Sequence, residues 1–160
     1  PGQKKWAHRT AYQTFLDGLG HGDLVAYLGH SRCGAGPDFD PKMEHTYEIL
    51  TREKFFTRPL VMSPDKYQVL VMFSCSSNKH FRKIITSETS RSSGKNPSNL
   101  DIITTMDLEY ASDSYTRMPF IMKSMFQGLE GSTIMQQANK MLTLEKSCQL
   151  NSPGLLDPNL

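Results

Sequence analysis

Two residues of the chain, Cys75 and His30, have the types and the local context of a nucleophile and its proton carrier. Each follows an apolar run that is typical of a strand, at residues 67–73 before the cysteine and at 24–28 before the histidine. A cysteine attacks as its thiolate, and a free thiol is only a few per cent thiolate near neutral pH, so a nearby base must take up the proton. An imidazole can hold that proton and later return it to a leaving group. The pair therefore predicts nucleophilic catalysis by a Cys–His dyad.

For this chemistry the two apolar runs must lie side by side in one sheet. A third apolar run at residues 100–105 predicts another strand, and apolar residues at helical spacing predict helices at 7–19, 119–129 and 132–144. The polar, turn-rich residues 87–99 predict a surface loop. Helices that alternate with buried strands indicate an α/β fold with a mainly parallel sheet covered on both faces. Sites in such sheets form beyond the carboxyl ends of the strands, where the predicted dyad falls.

The composition bounds the size and class of the protein. With 160 residues, of which 38% are hydrophobic, we expect a single domain over residues 1–160 with an irregular tail at 145–160. Eighteen Lys and Arg side chains stand against sixteen Asp and Glu, and the net charge of +2 supplies no field that would recruit nucleic acid or an anionic membrane. No apolar stretch approaches the roughly 18 residues of a membrane span. Three cysteines cannot all pair within one chain, so at least one thiol is free.

Two short motifs resemble a family of known enzymes. The sequence LVAYLGHS at residues 24–31 and the sequence VLVMFSC at residues 69–75 are apolar runs that end at the histidine and at the cysteine. This pattern resembles the clan CD cysteine peptidases, which include caspases, legumains and gingipains. The resemblance covers residues 24–106 and implies a caspase-like or gingipain-like three-layer sandwich with a mainly parallel sheet. It also implies a cysteine endopeptidase that cleaves peptide or protein substrates through a thioester intermediate, with no metal and no cofactor.

The resemblance also assigns roles to individual residues. His30 corresponds to the general base and acid, Cys75 to the nucleophile, and the backbone N–H groups of Ser31 and Cys75 to the oxyanion donors. The residues that would line the substrate pocket follow the third strand or lie in the loop after the histidine, and they are Thr105, Met106, Asp107, Arg32 and Asp38. The family fold carries more sheet before the helix that precedes the histidine strand, whereas this chain starts almost at that helix. We therefore expect the chain to be the C-terminal part of a longer protein.

Other interpretations of the same residues stay open. His30, Cys33, Cys75 and His80 offer two thiols and two imidazoles, the ligand set that a tetrahedral structural zinc site favours. Cys33 is also an alternative nucleophile or a redox partner of Cys75. A caspase-like domain can further be catalytically inactive and serve as a binding or regulatory domain, since fold does not fix activity. The sequence predicts no compartment for the protein.

Overall fold

The structure is a computed structural model that describes residues 2–31, 37, 39, 60–141 and 150–151, with side chains described for residues 11–31, 37, 39 and 60–141. This part of the chain forms four α-helices and four strands. The helices are α1 (Gly2–His21), α2 (Lys83–Ser93), α3 (Ala111–Phe126) and α4 (Gly131–Lys140). The strands are β1 (Leu24–Leu28), β2 (Gln68–Phe73), β3 (Leu100–Thr105) and β4 (Leu150–Asn151). One π-helical turn, Asn78–Arg82, leads into α2, and a short 3-10 turn, Pro97–Asn99, precedes β3.

The described strands form one sheet in the order β1-β2-β3-β4. β1, β2 and β3 run parallel to one another, and β4 pairs antiparallel with the end of β3. The prediction of an α/β fold with a mainly parallel sheet is therefore confirmed. β4 was not predicted, because its two residues carry no strand signal of their own in the segment expected to be irregular.

β2 forms the centre of the protein. All six of its residues are buried, and those on one face pack with α1 and α2 whereas those on the other pack with α3 and α4. Burial on both faces explains why β2 is a continuous apolar run. The same expectation is wrong for β1, in which only Val25 and Tyr27 are buried and Leu28 is exposed. Leu24 and Ala26 are partly buried and pack against the core cluster on the side of α3 and α4, and β1 has a single neighbour in the described sheet.

The polar segment 87–99 is helical over much of its length, so the predicted loop is wrong there. α2 extends to Ser93, and Gly94 ends it in the left-handed conformation at φ +65°. Hydroxyl groups inside α2 bond to backbone carbonyls one turn earlier, as Thr89 Oγ1 does to Ile85 O at 2.8 Å and Ser93 Oγ to Thr89 O at 2.8 Å. These bonds satisfy the hydroxyls without breaking the helix. A run rich in Ser and Thr was therefore a poor indicator of a loop.

Helix α3 begins eight residues before the predicted start at 119, and Pro119 lies inside it. The segment before Pro119 is helical because it packs polar side chains into the core: Asp113, Ser114 and Arg117 are all buried. An internal proline removes one backbone hydrogen bond and usually bends a helix.

Candidate active site

The sheet brings His30 and Cys75 to the same edge. β1 and β2 are in register as far as the pair Leu28↔Phe73, and each candidate residue lies two positions beyond that pair. The pairing continues one step further, because the Gly29 N–H donates to Phe73 O at 3.0 Å. Neighbouring strands lie about 4.8 Å apart. His30 and Cys75 therefore follow adjacent parallel strands at the same end of the sheet.

The backbone at His30 is fixed from below. The Tyr27 hydroxyl donates to His30 O at 2.8 Å, while the imidazole itself is exposed. Gly29 is needed for this arrangement, since a Cβ at that position would lie 2.6 Å from the Tyr27 hydroxyl oxygen. Ser31, a predicted oxyanion donor, follows immediately and is buried. The residues LGHS thus end β1 and present the histidine side chain at the surface.

A strained turn presents Cys75. Ser76 has φ +50°, a left-handed conformation that residues other than glycine rarely adopt, and its N–H donates to Asp107 O at 2.6 Å. Such a conformation costs about 1–3 kcal/mol and persists only where the surroundings impose it. The helical segment that leads into α2 starts directly afterwards, at Ser77. A sharp strand-to-helix turn of this kind lifts a nucleophile out of the sheet.

A buried hydrogen-bond network holds the turn from beneath. The Ser77 hydroxyl donates to Met72 O at 2.6 Å and accepts from the Thr105 N–H at 2.9 Å. The Thr105 hydroxyl in turn donates to Ser74 O. Because both side chains are fully buried, little water competes for these hydrogen bonds, which tie the turn to the ends of β2 and β3.

Glu109 supplies the contacts that the cysteine sulfur makes. The Glu109 N–H donates to Cys75 Sγ at 3.4 Å, and the thiol donates to Glu109 O at 3.7 Å. The thiol is partly exposed. Within the described part of the chain, no backbone carbonyl accepts a hydrogen bond from the Cys75 N–H. A thiolate at this position keeps the N–H donor, and the backbone N–H of the cysteine is free to bind an oxyanion.

The side chain of Glu109 is locked into the core behind the cysteine. Its carboxylate pairs with the Arg117 guanidinium, and these two side chains are only 2% and 1% exposed, respectively. The Ser114 hydroxyl donates to the same carboxylate at 2.6 Å, and the guanidinium lies 5.4 Å from the centre of the Phe73 ring. The sequence does not indicate this pair. Its members are eight positions apart, across a loop and the start of a helix, and no helical or strand period links them.

The remaining predicted residues have different environments. Thr105 is fully buried under the turn, so the side chains after β3 that reach solvent are those of Met106 and Asp107. Two apolar residues later in the same segment, Leu108 and Tyr110, are also exposed. The predicted residues Arg32, Asp38 and Cys33 lie outside the described residues.

The described residues do not assemble a metal site. Among them, no group of three or more His, Cys, Asp or Glu side chains comes together in a way that would hold an ion. Of the four residues in the zinc hypothesis, Cys33 lies outside this part of the chain, and His80 lies in the π-helical turn. That hypothesis therefore stays a prediction.

The chain matches no model of a known protein family, no curated protein and no solved structure. In the part of the chain that the structure describes, no helix has the length and apolar character needed to cross a membrane.

Proposed function

We propose that the protein is a cysteine-dependent hydrolase, an endopeptidase that uses a Cys75–His30 dyad. The observation that supports this most directly is the register of β1 and β2, in which the two residues follow the matched pair Leu28↔Phe73 by the same number of positions. The strained turn at Ser76 adds support, because backbone strain concentrates at functional sites. As part of the same proposal, the protein resembles the clan CD peptidases and has their caspase-like three-layer sandwich.

The proposed reaction has two steps. The Cys75 thiolate adds to the carbonyl carbon of the peptide bond, and the resulting oxyanion is bound by the backbone N–H groups of Ser31 and Cys75. The tetrahedral intermediate collapses with cleavage of the C–N bond while the His30 imidazolium donates its proton to the leaving amine. A water molecule then attacks the thioester as the imidazole accepts its proton, which releases the acid and restores the dyad.

The exposed apolar side chains after β3 favour peptide substrates that carry an apolar side chain next to the cleaved bond. Met106, Leu108 and Tyr110 are between 41% and 59% exposed, although large apolar side chains favour burial. They flank Glu109, whose backbone contacts the cysteine sulfur. Side chains on this segment are therefore placed to pack against a substrate held at Cys75.

Alkylation by iodoacetamide, mapped by mass spectrometry of peptides, tests the dyad. We expect Cys75 to react at least tenfold faster than Cys33 or Cys148, and His30→Ala to slow it by roughly tenfold or more, since a cysteine without a base is only a few per cent thiolate. His21→Ala is the matched control, because His21 ends α1 and precedes β1, at the opposite edge of the sheet. It should leave the rate unchanged.

Equal, slow labelling of all three thiols contradicts the activated dyad. Slow labelling of Cys75 that does not depend on His30, together with no cleavage of any member of a peptide library, favours the inactive binding domain instead. A stoichiometric zinc ion that survives dialysis and protects Cys75 from alkylation supports the structural zinc site. The three outcomes are distinct, so one set of samples separates the three functions.

A further inference from the structure

A polar cleft runs along one face of the π-helical turn and α2. Because residues three or four positions apart share a helix face, the side chains at positions 78, 82 and 86 form one row. The residues that line the cleft include Asn78, Arg82, Lys83, Thr86 and Ser87, with Pro97 from the 3-10 turn before β3. The cleft has a volume of about 530 Å³, and none of the residues that line it is acidic. We call it the α2 cleft.

The α2 cleft lies in a cationic part of a chain whose net charge is only +2. Lys79, Arg82 and Lys83 fall within five positions, and no acidic residue occurs from 66 to 87. Glu88, the first acidic residue after this segment, already forms an ion pair further along α2. Lys83 is exposed and, among the described residues, pairs with no carboxylate. The cleft therefore has a local positive potential that attracts anionic groups.

Asn78 adds a neutral hydrogen-bond donor to the α2 cleft. The Thr104 hydroxyl donates to Asn78 Oδ1 at 3.2 Å, so the amide turns its acceptor oxygen toward β3. Within the described part of the chain no group accepts a hydrogen bond from the Asn78 NH₂ group, which remains available to a ligand. An amide donor beside ammonium and guanidinium groups matches the acceptor oxygens of an anion such as a carboxylate.

The α2 cleft begins close to the proposed nucleophile. Asn78 lies three positions after Cys75, and Lys83 lies eight positions after it. At about 1.5 Å of rise per helical residue, Lys83 is roughly 12 Å from the cysteine along the segment. An extended peptide advances about 3.3 Å per residue, so a substrate held at Cys75 spans this distance in about four residues.

The openness of the α2 cleft favours a peptide over a small anion. Lys83, Ser87 and Pro97 are exposed, so a molecule in the cleft stays in contact with solvent. Sites for small molecules instead enclose most of the ligand surface. An open cationic surface suits a chain that is also held elsewhere, as in the recognition of acidic peptide motifs by clusters of basic residues.

We propose that the α2 cleft binds acidic side chains of the peptide substrate, so that the protein selects peptides with Asp or Glu about four positions from the cleaved bond. Lys83 is the specificity-determining charge. This inference rests on the proposed peptidase function and names its substrate class. Because charge pairs at exposed sites are individually weak and are screened by salt, the selection is a preference that high ionic strength removes.

Fluorescence anisotropy tests the preference in the Cys75→Ala chain, which binds peptides without cleaving them. Labelled peptides carry an apolar central residue and a pair of glutamates four positions away, on the amino or the carboxyl side, and their counterparts carry glutamines. We expect one of the glutamate peptides to bind at least fivefold tighter than its counterpart, and the difference to vanish near 1 M NaCl, where the Debye length is about 3 Å.

A charge reversal identifies the residue responsible. In the Cys75→Ala background, Lys83→Glu should abolish the preference, because it replaces attraction with repulsion. Lys123→Glu is the matched control, since Lys123 is also exposed but lies on α3, which packs on the opposite face of the sheet. It makes the same change in net charge and should leave the preference intact, and circular dichroism should show native helix content in both variants.

Equal binding of the glutamate and glutamine peptides overturns the inference, as does a preference that Lys83→Glu and Lys123→Glu reduce alike. Inorganic phosphate that binds the wild-type chain more tightly than the glutamate peptide makes the cleft a small-anion site and also overturns it. Cleavage by the wild-type chain separates this inference from the proposed function. Binding preference without cleavage contradicts the peptidase and supports the cleft as an acidic-peptide site, whereas cleavage of both peptides at equal kcat/KM supports the peptidase and overturns the cleft.

Discussion

Replacing Arg117 with methionine should destabilise the protein strongly, because it leaves the buried carboxylate of Glu109 without its counter-charge. Removal of one member of a buried ion pair costs about 3–5 kcal/mol. Methionine retains much of the volume of the arginine side chain, so the loss reports the charge more than a cavity. In a domain of this size each kcal/mol lowers Tm by about 2–4 °C, which gives a decrease of roughly 6–20 °C. Since total stability is about 5–15 kcal/mol, this loss removes a large part of it.

Urea unfolding of a double-mutant cycle isolates the electrostatic contribution. Glu109→Gln should also destabilise, whereas the double variant Glu109→Gln with Arg117→Met should recover most of the lost stability, because no uncompensated charge then remains buried. The matched control is Arg91→Met. Arg91 also pairs with a glutamate, Glu88, but its side chain is 74% exposed, and removal of such a surface pair changes stability by less than about 1 kcal/mol.

Two results would refute the reasoning. If Arg117→Met destabilises no more than Arg91→Met, the buried pair does not carry the stability assigned to it. If the losses of the two single variants add in the double variant, the side chains do not act as a pair. Alkylation of Cys75 in the same variants gives a second readout, because displacement of the Glu109 backbone should change the labelling rate without any change at the imidazole.

Two further predictions concern the surroundings of the site, and one concerns Tyr67 at the opposite end of β2. In urea unfolding, Ser74→Ala should be neutral or stabilise by about 1 kcal/mol, because the buried Ser74 hydroxyl has no hydrogen-bond partner in the described structure. Ser77→Ala should instead destabilise by about 1–3 kcal/mol, because the Ser77 hydroxyl makes several hydrogen bonds. Equal effects of the two substitutions would contradict this reasoning. Burial, a hydrogen bond to Asp101 and the charge of that carboxylate raise the pKa of Tyr67, so the folded protein keeps a proton that the unfolded chain loses above about pH 10. The stability present below that pH should fall as pH rises through the alkaline range, and Tyr67→Phe should flatten this slope in unfolding measurements between about pH 8 and 11; an unchanged slope would refute the coupling. Gly29→Ala should slow alkylation of Cys75, since the added methyl displaces the tyrosine that holds the histidine backbone, and an unchanged rate would show that this support is dispensable.

The sequence was informative where one physical requirement dominated. A central parallel strand must be apolar on both faces, so β2 was visible as a continuous run, and its end defined the position of Cys75. β1 was visible for the same reason, although its residues alternate in burial. Because both strands end at the matched pair Leu28↔Phe73, the ends of the two apolar runs were enough to place His30 and Cys75 at the same edge.

The sequence was uninformative where tertiary contacts override local preference. Residues 87–93 are rich in Ser and Thr, and their helix depends on hydroxyls that bond within it and on burial of Thr89 against the core. The left-handed conformation of Ser76 has no local signal either, since serine does not favour it. It is imposed by the hydrogen bond that the Ser76 N–H donates to the carbonyl oxygen of Asp107, a residue that follows the end of β3.

The ion pair between Glu109 and Arg117 shows how stability and the proposed chemistry are linked. A buried ion pair seldom stabilises a protein more than apolar side chains of the same volume would, so stability alone does not explain why it lies here. Its geometric effect is clearer, because it fixes the carboxylate of Glu109 in the core and thereby holds the Glu109 backbone against Cys75 Sγ. A nucleophile requires that fixed position, whereas a domain that only kept its fold would not. If the double variant retains its stability while Cys75 loses its rapid alkylation, the pair is a positioning device for the cysteine.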